Sequence, residues 1–122
     1  MAAKRRRLSR SGEFDRVYRD GSSSATRHLV LYSFPRQQDE EAGVRLGVSA
    51  SRKIGSSVER NRVKRVLREA FWDLSDRLPD DHDFVLVARP EIADLIEREG
   101  EPGVKASIEE ALASTSAGGR ST

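Results

Sequence analysis

The sequence predicts a small α+β protein, an α/β sandwich in which helices cover a central sheet. Three observations favour this class. A chain of 122 residues has the size of a single domain. Segments with helical spacing of apolar residues are interspersed with segments of strand character. With 36% hydrophobic and 34% charged residues, the chain has apolar side chains for one small core. We expect one domain at 11–113, a flexible basic arm at 1–10 and a disordered tail at 114–122.

The first predicted elements are a helix and a strand. Phe14, Val17 and Tyr18 recur at positions i, i+3 and i+4, which is the spacing of one face of a short helix that begins near Ser11. Residues 27–34 are rich in aliphatic and aromatic side chains and end at a proline, so they are predicted to form a strand.

A second strand is predicted at residues 44–51, where apolar side chains alternate with polar or small ones. The polar segment 36–43, which contains a glycine, is predicted to join the two strands as a hairpin loop. The polar face of the second strand is free to contact a ligand.

A long helix is predicted to begin after Ser56, which forms a capping-box pattern with Glu59. Its apolar residues share one arc, which we expect to face the core: Val63, Val66, Leu67, Ala70, Phe71 and Leu74. The opposite arc is cationic and carries Arg62, Lys64, Arg65 and Arg68, with Arg60 at its boundary.

The last third of the chain begins with the mostly apolar run 83–89, which is predicted to be a central strand. Helical spacing returns at 92–96 and, after a break at 100–103, at 104–112. The predicted order is therefore helix, strand, strand, helix, strand, helix, helix. The sheet has at least three strands, with room for a further short one in the loops.

The net charge of +2 conceals a strong asymmetry between the two parts of the chain. Residues 1–70 contain 17 Lys+Arg and 8 Asp+Glu, a net of +9, whereas residues 71–122 contain 5 and 12, a net of −7. Such asymmetry indicates a polyanionic partner. Of the 22 basic residues 18 are arginines, whose planar donors suit phosphate and base stacking. The composition therefore favours nucleic acid.

The cationic arc of the long helix is the strongest functional feature. Arg60, Lys64 and Arg68 repeat at i+4 without compensating acids, although like charges at that spacing destabilise a helix slightly. An ordinary solvated face usually alternates acids and bases, so the pattern favours a phosphate-binding face. Asn61 beside them can donate to and accept from a base or a sugar.

A second set of residues combines aromatic and basic side chains. Phe14, Tyr18 and Tyr32 can pack in the core or form a platform on which bases stack, and both alternatives stay open. The basic neighbours Arg16, Arg19 and Arg27 favour the platform.

No catalytic constellation is recognisable. The absence of cysteine excludes disulfides, thiol nucleophiles and zinc–thiolate sites. Asp80, Asp81 and Asp83 could attract Mg²⁺, but a turn after Pro79 explains them better. No apolar run is long enough to span a membrane, and no secretory signal is recognisable. We expect a soluble, cytoplasmic protein without a membrane partner.

The segment Arg60-Asn-Arg-Val-Lys-Arg65, followed by Arg68-Glu-Ala-Phe71, resembles the Arg-Asn-Arg signature of the bacterial ribonuclease P protein component. The preceding segment 46–55 is also similar, and the match extends over roughly residues 5–113. The resemblance implies an αβββαβα fold with a mixed sheet of about four strands. It also implies a left-handed β-α-β crossover, although such crossovers are right-handed in about 98% of cases.

The resemblance implies the protein subunit of an endoribonuclease that removes the 5′ leader from precursor tRNA. The RNA subunit with Mg²⁺ would hydrolyse the phosphodiester, so no catalytic residue or metal ligand is expected in the chain. Its partners would be the catalytic RNA and precursor tRNA, without an obligate protein partner. The alternatives are a ribosomal or other small RNA-binding protein of similar fold and, from another class, a protein-only nuclease.

The resemblance also implies roles for individual residues. Those expected to bind the RNA subunit are Arg52, Lys53, Arg60, Asn61, Arg62, Lys64, Arg65 and Arg68. Those expected to bind the single-stranded leader, in a cleft between the first helix and the sheet, are Phe14, Tyr18, Arg27 and Tyr32.

Overall fold

A mixed sheet with three helices is the architecture of the computed structural model, which describes residues 5–8, 11–36, 43–79 and 81–114. The strands are β1 (Arg5–Arg7), β2 (Ser22–Ala25), β3 (Leu29–Pro35), β4 (Val44–Ser49) and β5 (His82–Ala88). The helices are α1 (Ser11–Asp20), α2 (Ser57–Trp72) and α3 (Ile92–Ala113), with 3₁₀ turns at Arg52–Ile54 and Ser75–Arg77. Within these residues no helix has the length and apolar character needed to cross a membrane.

The strand order across the sheet is β1-β4-β5-β3-β2. β5 is parallel to β4 and antiparallel to β3. The edge strand β1 is parallel to β4, and the edge strand β2 is antiparallel to β3. The predicted α+β class is confirmed. β4, α2 and β5 form a β-α-β unit, and the left-handed crossover of this unit stays a prediction.

The predicted hairpin between β3 and β4 is wrong, because β5 lies between these strands. All seven residues of β3 pair with β5, and Arg45–Ser49 of β4 pair with its other side. Phe84, Val85 and Leu86 are completely buried. Because successive side chains point to opposite faces, a strand buried on both faces belongs in the interior of a covered sheet.

The two faces of the sheet carry different apolar clusters. α2 and α3 cover one face, where the main core includes Leu31, Leu46, Leu67, Phe71, Phe84 and Ile108. α1 lies on the other face, where a smaller cluster contains Leu8, Val17 and Val85, with Phe14, Tyr32, Phe34 and Val87 partly buried. The two helices that carry the predicted functional residues therefore lie on opposite faces.

The N-terminal segment differs from the prediction of a flexible arm over residues 1–10. Arg5–Arg7 form β1, and the backbone N–H of Leu8 donates to the Leu46 carbonyl at 3.0 Å. The Leu8 side chain is 3% exposed, and its burial explains why this basic segment joins the sheet. The prediction for the rest of the arm falls outside the described residues, as does that for the tail beyond Ser114.

The two helices predicted after β5 form one kinked element, α3. The kink is at Gly100, whose φ of 66° and ψ of −157° are not helical. Glycine adopts a positive φ without steric cost, and Pro102 lacks the N–H that a continuous helix would use. The predicted break at 100–103 is therefore confirmed, as a kink within α3 at Gly100.

Candidate nucleic-acid interface

α2 buries one side and presents a cationic side. As predicted, the buried residues include Val63, Leu67, Ala70 and Phe71. The exposed or half-buried cations are Arg62, Lys64, Arg65 and Arg68. None of these four forms an ion pair with another residue that the structure describes. Among the residues that the structure describes, their charges therefore have no acidic partner.

The first turn of α2 is held by a capping box. The Ser56 hydroxyl accepts from the Glu59 N–H at 3.2 Å, and the Glu59 carboxylate accepts from the Ser56 N–H at 3.0 Å. The guanidinium of Arg60 donates to the Gly55 carbonyl at 3.3 Å. Glu59, the acidic residue at the start of the helix, therefore caps the helix N-terminus and stabilises it. In the described part of the chain it forms no ion pair with the arginines of α2.

The 3₁₀ turn before α2 adds two more exposed cations, Arg52 and Lys53. The Ser51 hydroxyl accepts from the Lys53 N–H at 3.3 Å, and Ile54 anchors the turn in the core. Asn61 is exposed on α2. The eight residues predicted to bind the RNA subunit therefore all lie on this turn and on α2; we call them the cationic surface.

Phe14, Tyr18 and Tyr32 form a connected group on the α1 side of the sheet, here called the aromatic face. The ring centroids of Phe14 and Tyr18 are 6.3 Å apart, and those of Tyr18 and Tyr32 are 4.9 Å apart, edge to face. Tyr18 is 39% exposed, whereas the other two rings are half-buried. Val17 is buried in the smaller apolar cluster, whereas the Tyr18 ring is exposed, so α1 both packs on the sheet and presents an aromatic ring to solvent.

Two close contacts hold the aromatic face against β4. The Tyr18 hydroxyl is hydrogen-bonded to Ser49, and burial, followed by the neighbouring Tyr32, raises the pKa of Tyr18. The ring of Phe14 lies over Gly47, where an added Cβ would stand 2.6 Å from Cε2 of Phe14. A glycine therefore permits the close approach of α1 to the sheet.

Arg27, also predicted to bind the leader, lies apart from the three rings. Its side chain is exposed in the connection between β2 and β3. In the described part of the chain no hydrogen bond or ring contact joins Arg27 to the aromatic face. Arg16 has the nearer position: its guanidinium carbon is 4.7 Å from the ring centroid of Phe34, which is partly buried beside this cluster.

A buried ion network, which the sequence analysis missed, ties α1 to the sheet. The carboxylate of Asp83, on β5, is fully buried and accepts from Arg36 at 2.5 Å and from Nε and Nη2 of Arg45 at 2.7 Å each. Arg16 of α1 donates to the same carboxylate at 3.2 Å. Arg45 also donates to Glu13 of α1 at 2.7 Å. We call these five residues the Asp83 network.

The network determines the charge of Asp83. Burial by itself raises the pKa of this carboxyl, but the hydrogen bonds and charges of Arg45 and Arg36 outweigh it, and the pKa is lowered from its ordinary value. Asp83 is therefore ionised at neutral pH. The interpretation of Asp83 as a turn residue is wrong: it lies within β5, and alternation along the strand could have placed it on the α1 face.

Asp81 and Asp83, the two described carboxylates among the three that follow Pro79, have separate partners. Asp83 is surrounded by arginines, Asp81 contacts Nδ1 of His82 at 2.9 Å, and Asp80 lies outside the described residues. Across 5–8, 11–36, 43–79 and 81–114, no three carboxylate or imidazole groups are placed to hold a metal ion. The Mg²⁺ that the resemblance implies is expected in the RNA subunit, and it stays a prediction.

The fold, the cationic surface and the aromatic face are typical of a small nucleic-acid-binding protein. The Ribonuclease P family model matches residues 2–112. The ribonuclease P protein component of Shouchella clausii is 38% identical over 109 residues, which cover 89% of this chain and 84% of that protein. That of Bacillus cereus strain B4264 is 38% identical over 92 residues, which cover 75% and 78%.

Solved structures agree with these matches. The RNase P protein of Staphylococcus aureus superposes with a TM-score of 0.79 at 29% identity, over 95% of this chain and 100% of that one. The RNase P protein of Thermotoga maritima superposes with a TM-score of 0.73 at 26% identity, over 85% and 92%. The chain belongs to the ribonuclease P protein component family.

Proposed function

We propose that the chain is the protein subunit of ribonuclease P and that it binds both the catalytic RNA subunit and the 5′ leader of precursor tRNA. The observation that carries this proposal is the position of two surfaces on opposite faces of the sheet: the uncompensated cationic surface of α2 and the exposed aromatic face of α1. A protein of this design can hold two RNA segments at once. Membership in the family supports it.

The cationic surface is proposed to bind the RNA subunit. Guanidinium groups form paired hydrogen bonds with phosphate oxygens. The exposed Arg62 and Arg65 form no ion pair with a described residue, so neither has such a pair to break before it reaches a phosphate backbone. Asn61 can read a base or sugar edge beside them. Since each neutralised phosphate releases counterions, the affinity falls steeply as salt rises.

The aromatic face is proposed to bind the single-stranded leader. Tyr18 offers the exposed ring, and the rings of Phe14 and Tyr32 support it. Stacking accepts any base, because every base has a π face. Arg27 is proposed to contact a leader phosphate at the margin of this face.

Hydrolysis of the phosphodiester is proposed to belong to the RNA subunit, with Mg²⁺ held there. The chain contributes by binding and by orienting the leader relative to the RNA, which favours the reacting geometry. It would work in the cytoplasm with precursor tRNA as the substrate and without an obligate protein partner.

Reconstitution of the full chain with a ribonuclease P RNA tests this function. We expect the chain alone to leave precursor tRNA intact, and the chain with the RNA to lower the Mg²⁺ concentration needed for cleavage. If the chain leaves the activity of the RNA unchanged, it is a different small RNA-binding protein. If a nuclease-treated preparation of the chain removes the leader without RNA, it is a protein-only nuclease.

The cationic surface is tested by the double variant Arg62→Ala, Arg65→Ala. The slope of log affinity against log salt should become shallower by about 1 for each phosphate that the variant no longer neutralises. The matched control is Arg77→Ala with Arg98→Ala, which removes the same charge from exposed side chains elsewhere. Equal slopes for the two double variants would exclude phosphate contacts at Arg62 and Arg65.

A further inference from the structure

α2 and α3 lie side by side on the same face of the sheet and run in the same direction. Each follows one of the parallel strands β4 and β5, and the two helices pack against each other. A cavity of about 70 Å³ between their first turns is lined by residues of both, including Arg62 of α2 and Ala93 and Glu97 of α3. Arg62 and Glu97 therefore lie at the same level along the pair of helices.

The outer sides of the two helices carry opposite charges over their first turns. On α2 the exposed charges are Arg62 and Arg65, and on α3 they include Asp94 and Glu97. Glu97 forms no ion pair with another described residue. Asp94 contacts Arg98, one turn further along α3, at 2.8 Å. Because an exposed pair of this kind contributes little, both acids can accept a cation from another molecule.

An exposed apolar residue lies within the same patch. Val58, in the first turn of α2, is 77% exposed. It lies one turn before Arg62, just as Ala93, which is also exposed, lies one turn before Glu97 on α3. The patch thus combines an apolar contact with surrounding charges, as protein interfaces do.

A two-fold axis along the groove between α2 and α3 makes this patch complementary to itself. Such an axis places α2 of one copy against α3 of a second copy, and the second α2 against the first α3. With Arg62 opposite Glu97 of the second copy, the one-turn spacing also brings Val58 opposite Ala93 of the second copy. Each contact therefore occurs twice, and the dimer is closed.

We propose that in the absence of RNA the chain forms a two-fold dimer, in which the cationic side of α2 in each copy contacts the acidic side of α3 in the other. The contacting charges are Arg62 and Arg65 of one copy and Asp94 and Glu97 of the other. The division of charge into +9 for residues 1–70 and −7 for residues 71–122 favours this approach of two copies. The inference goes beyond the proposed function, because it assigns a partner to the acidic side of α3. RNA on the cationic surface excludes the second copy, so the dimer is the RNA-free form.

The dimer is small and sensitive to salt. Farther along the helices a second cavity is lined by Glu69 and Asp73 of α2 and by Glu101 of α3, among others. Across the two-fold axis these carboxylates would face their own copies, and like charges limit the contact to the first turns. An interface of this extent is smaller than that of stable complexes. We therefore expect a dimer that forms at low salt and dissociates as the salt concentration rises.

Exchange of the charges between two variants of the full chain tests the arrangement. One variant carries Arg62→Glu with Arg65→Glu, and the other carries Asp94→Lys with Glu97→Lys. Each alone should sediment as a monomer at about 0.02 M salt, because each places like charges opposite one another. Their mixture should form a dimer as the wild type does, since every pair of opposite charges is restored. A mixture that stays monomeric, or a wild type that is monomeric at about 0.5 mM chain, would overturn the proposal, and a mass above that of a dimer would exclude the two-fold axis.

The matched control is Asp15→Lys with Asp20→Lys, which reverses two exposed carboxylates on α1, on the other face of the sheet. It should leave the dimer unchanged. Equal loss of the dimer in this control and in the α3 variant would reveal an effect of net charge alone and refute the interface. Should a charge-exchanged variant fold poorly, Asp94→Asn with Glu97→Gln replaces it and should weaken the dimer about tenfold. An unchanged dimer in that variant would count against the proposal in the same way.

Cross-linking reports the register and the competition with RNA. The chain has no cysteine, so a mixture of the single variants Val58→Cys and Ala93→Cys should give one disulfide-linked dimer of the two on mild oxidation at low salt. A ribonuclease P RNA should suppress this product, and a product that forms equally well with the RNA bound would overturn the proposal. If reconstitution succeeds but the wild type does not dimerise, this inference alone fails. If the charge-exchanged mixture dimerises but the chain does not assist the RNA, the dimer stands and the proposed function fails.

Discussion

The two faces of the sheet hold their helices by different kinds of contact. On the face covered by α2 and α3, the interface is built from aliphatic and aromatic side chains. On the α1 face, a small apolar cluster around Val17 is accompanied by the Asp83 network, which joins α1 to β4 and β5. Apolar burial is non-directional, whereas charged hydrogen bonds require a particular geometry.

The difference between non-directional apolar contacts and directional charged contacts bears on how the aromatic face is held in position. α1 has ten residues, and only Val17 among them is fully buried, so apolar contact alone constrains its rotation weakly. Glu13 and Arg16 add directional contacts on either side of Phe14 in the sequence. We infer that the ion pairs orient the rings of Phe14 and Tyr18, while the apolar face provides most of the stability.

The largest expected effect comes from removing the charge at the centre of the Asp83 network. Asp83→Asn leaves the arginines without their shared carboxylate and should lower the free energy of unfolding by about 3–5 kcal/mol, as for a broken buried ion pair. Because the pKa of Asp83 is lowered on folding, its contribution is present above the ordinary value of 3.8 and is lost as the pH falls through the lower folded pKa. Urea unfolding between pH 7 and pH 2 measures both effects.

Asp94→Asn is the control for that variant, because it breaks an exposed pair with Arg98 on α3. It should lower the free energy of unfolding far less than Asp83→Asn does, because an exposed ion pair contributes little. The acid-dependent loss of stability should be smaller in Asp83→Asn than in the wild type. Equal destabilisation by the two substitutions would show that the network does not hold α1.

A smaller effect, on binding, is expected for the exposed ring of the α1 face. Tyr18→Ala should reduce the preference for leader-bearing over mature tRNA by about 1–3 kcal/mol, the range for removal of a ring on which a base stacks. Tyr18→Phe keeps the ring, removes the hydrogen bond to Ser49 and should retain most of the preference. If Tyr18→Ala lowers stability and leaves the preference unchanged, the ring belongs to the core instead.

The smallest effect is expected from a conservative change on the apolar face. Ile108 is completely buried in the main core, and Ile108→Val removes one methylene group. It should cost about 0.5–1.5 kcal/mol, with the same cost at pH 7 and pH 4 and no change in RNA affinity. A pH-dependent cost would contradict the apolar description of this face.

α2 was predictable from the sequence in some detail. The capping box at Ser56 and Glu59, the buried arc through Leu67 and the cationic arc through Arg65 all depend on residues three or four positions apart. Helix geometry fixes these relations locally. The apolar character of β5 and the kink near Gly100 are similarly local, which is why both predictions are confirmed.

The Asp83 network was not predictable from the sequence. The Asp83 carboxylate accepts hydrogen bonds from Arg45, Arg36 and Arg16, which lie 38, 47 and 67 positions away in the chain, respectively. These contacts form because β5 inserts between β3 and β4, whereas the short polar connection between β3 and β4 predicted that these two strands pair as a hairpin. Likewise, a basic N-terminal segment is typical of a flexible arm, and only the pairing of Arg5–Arg7 with β4 makes it an edge strand of the sheet.

The helices and strands with local periodicity, the charged side of α2 and the signature segment at Arg60–Arg65 can all be read from neighbouring residues. The strand order, the opposite placement of α1 and α2 and the Asp83 network arise only when the chain folds. The two groups differ in the range of the interactions that produce them. Caps and helical faces arise from neighbours within one or two turns, whereas strand pairing and buried charges join residues that become neighbours only in the folded chain.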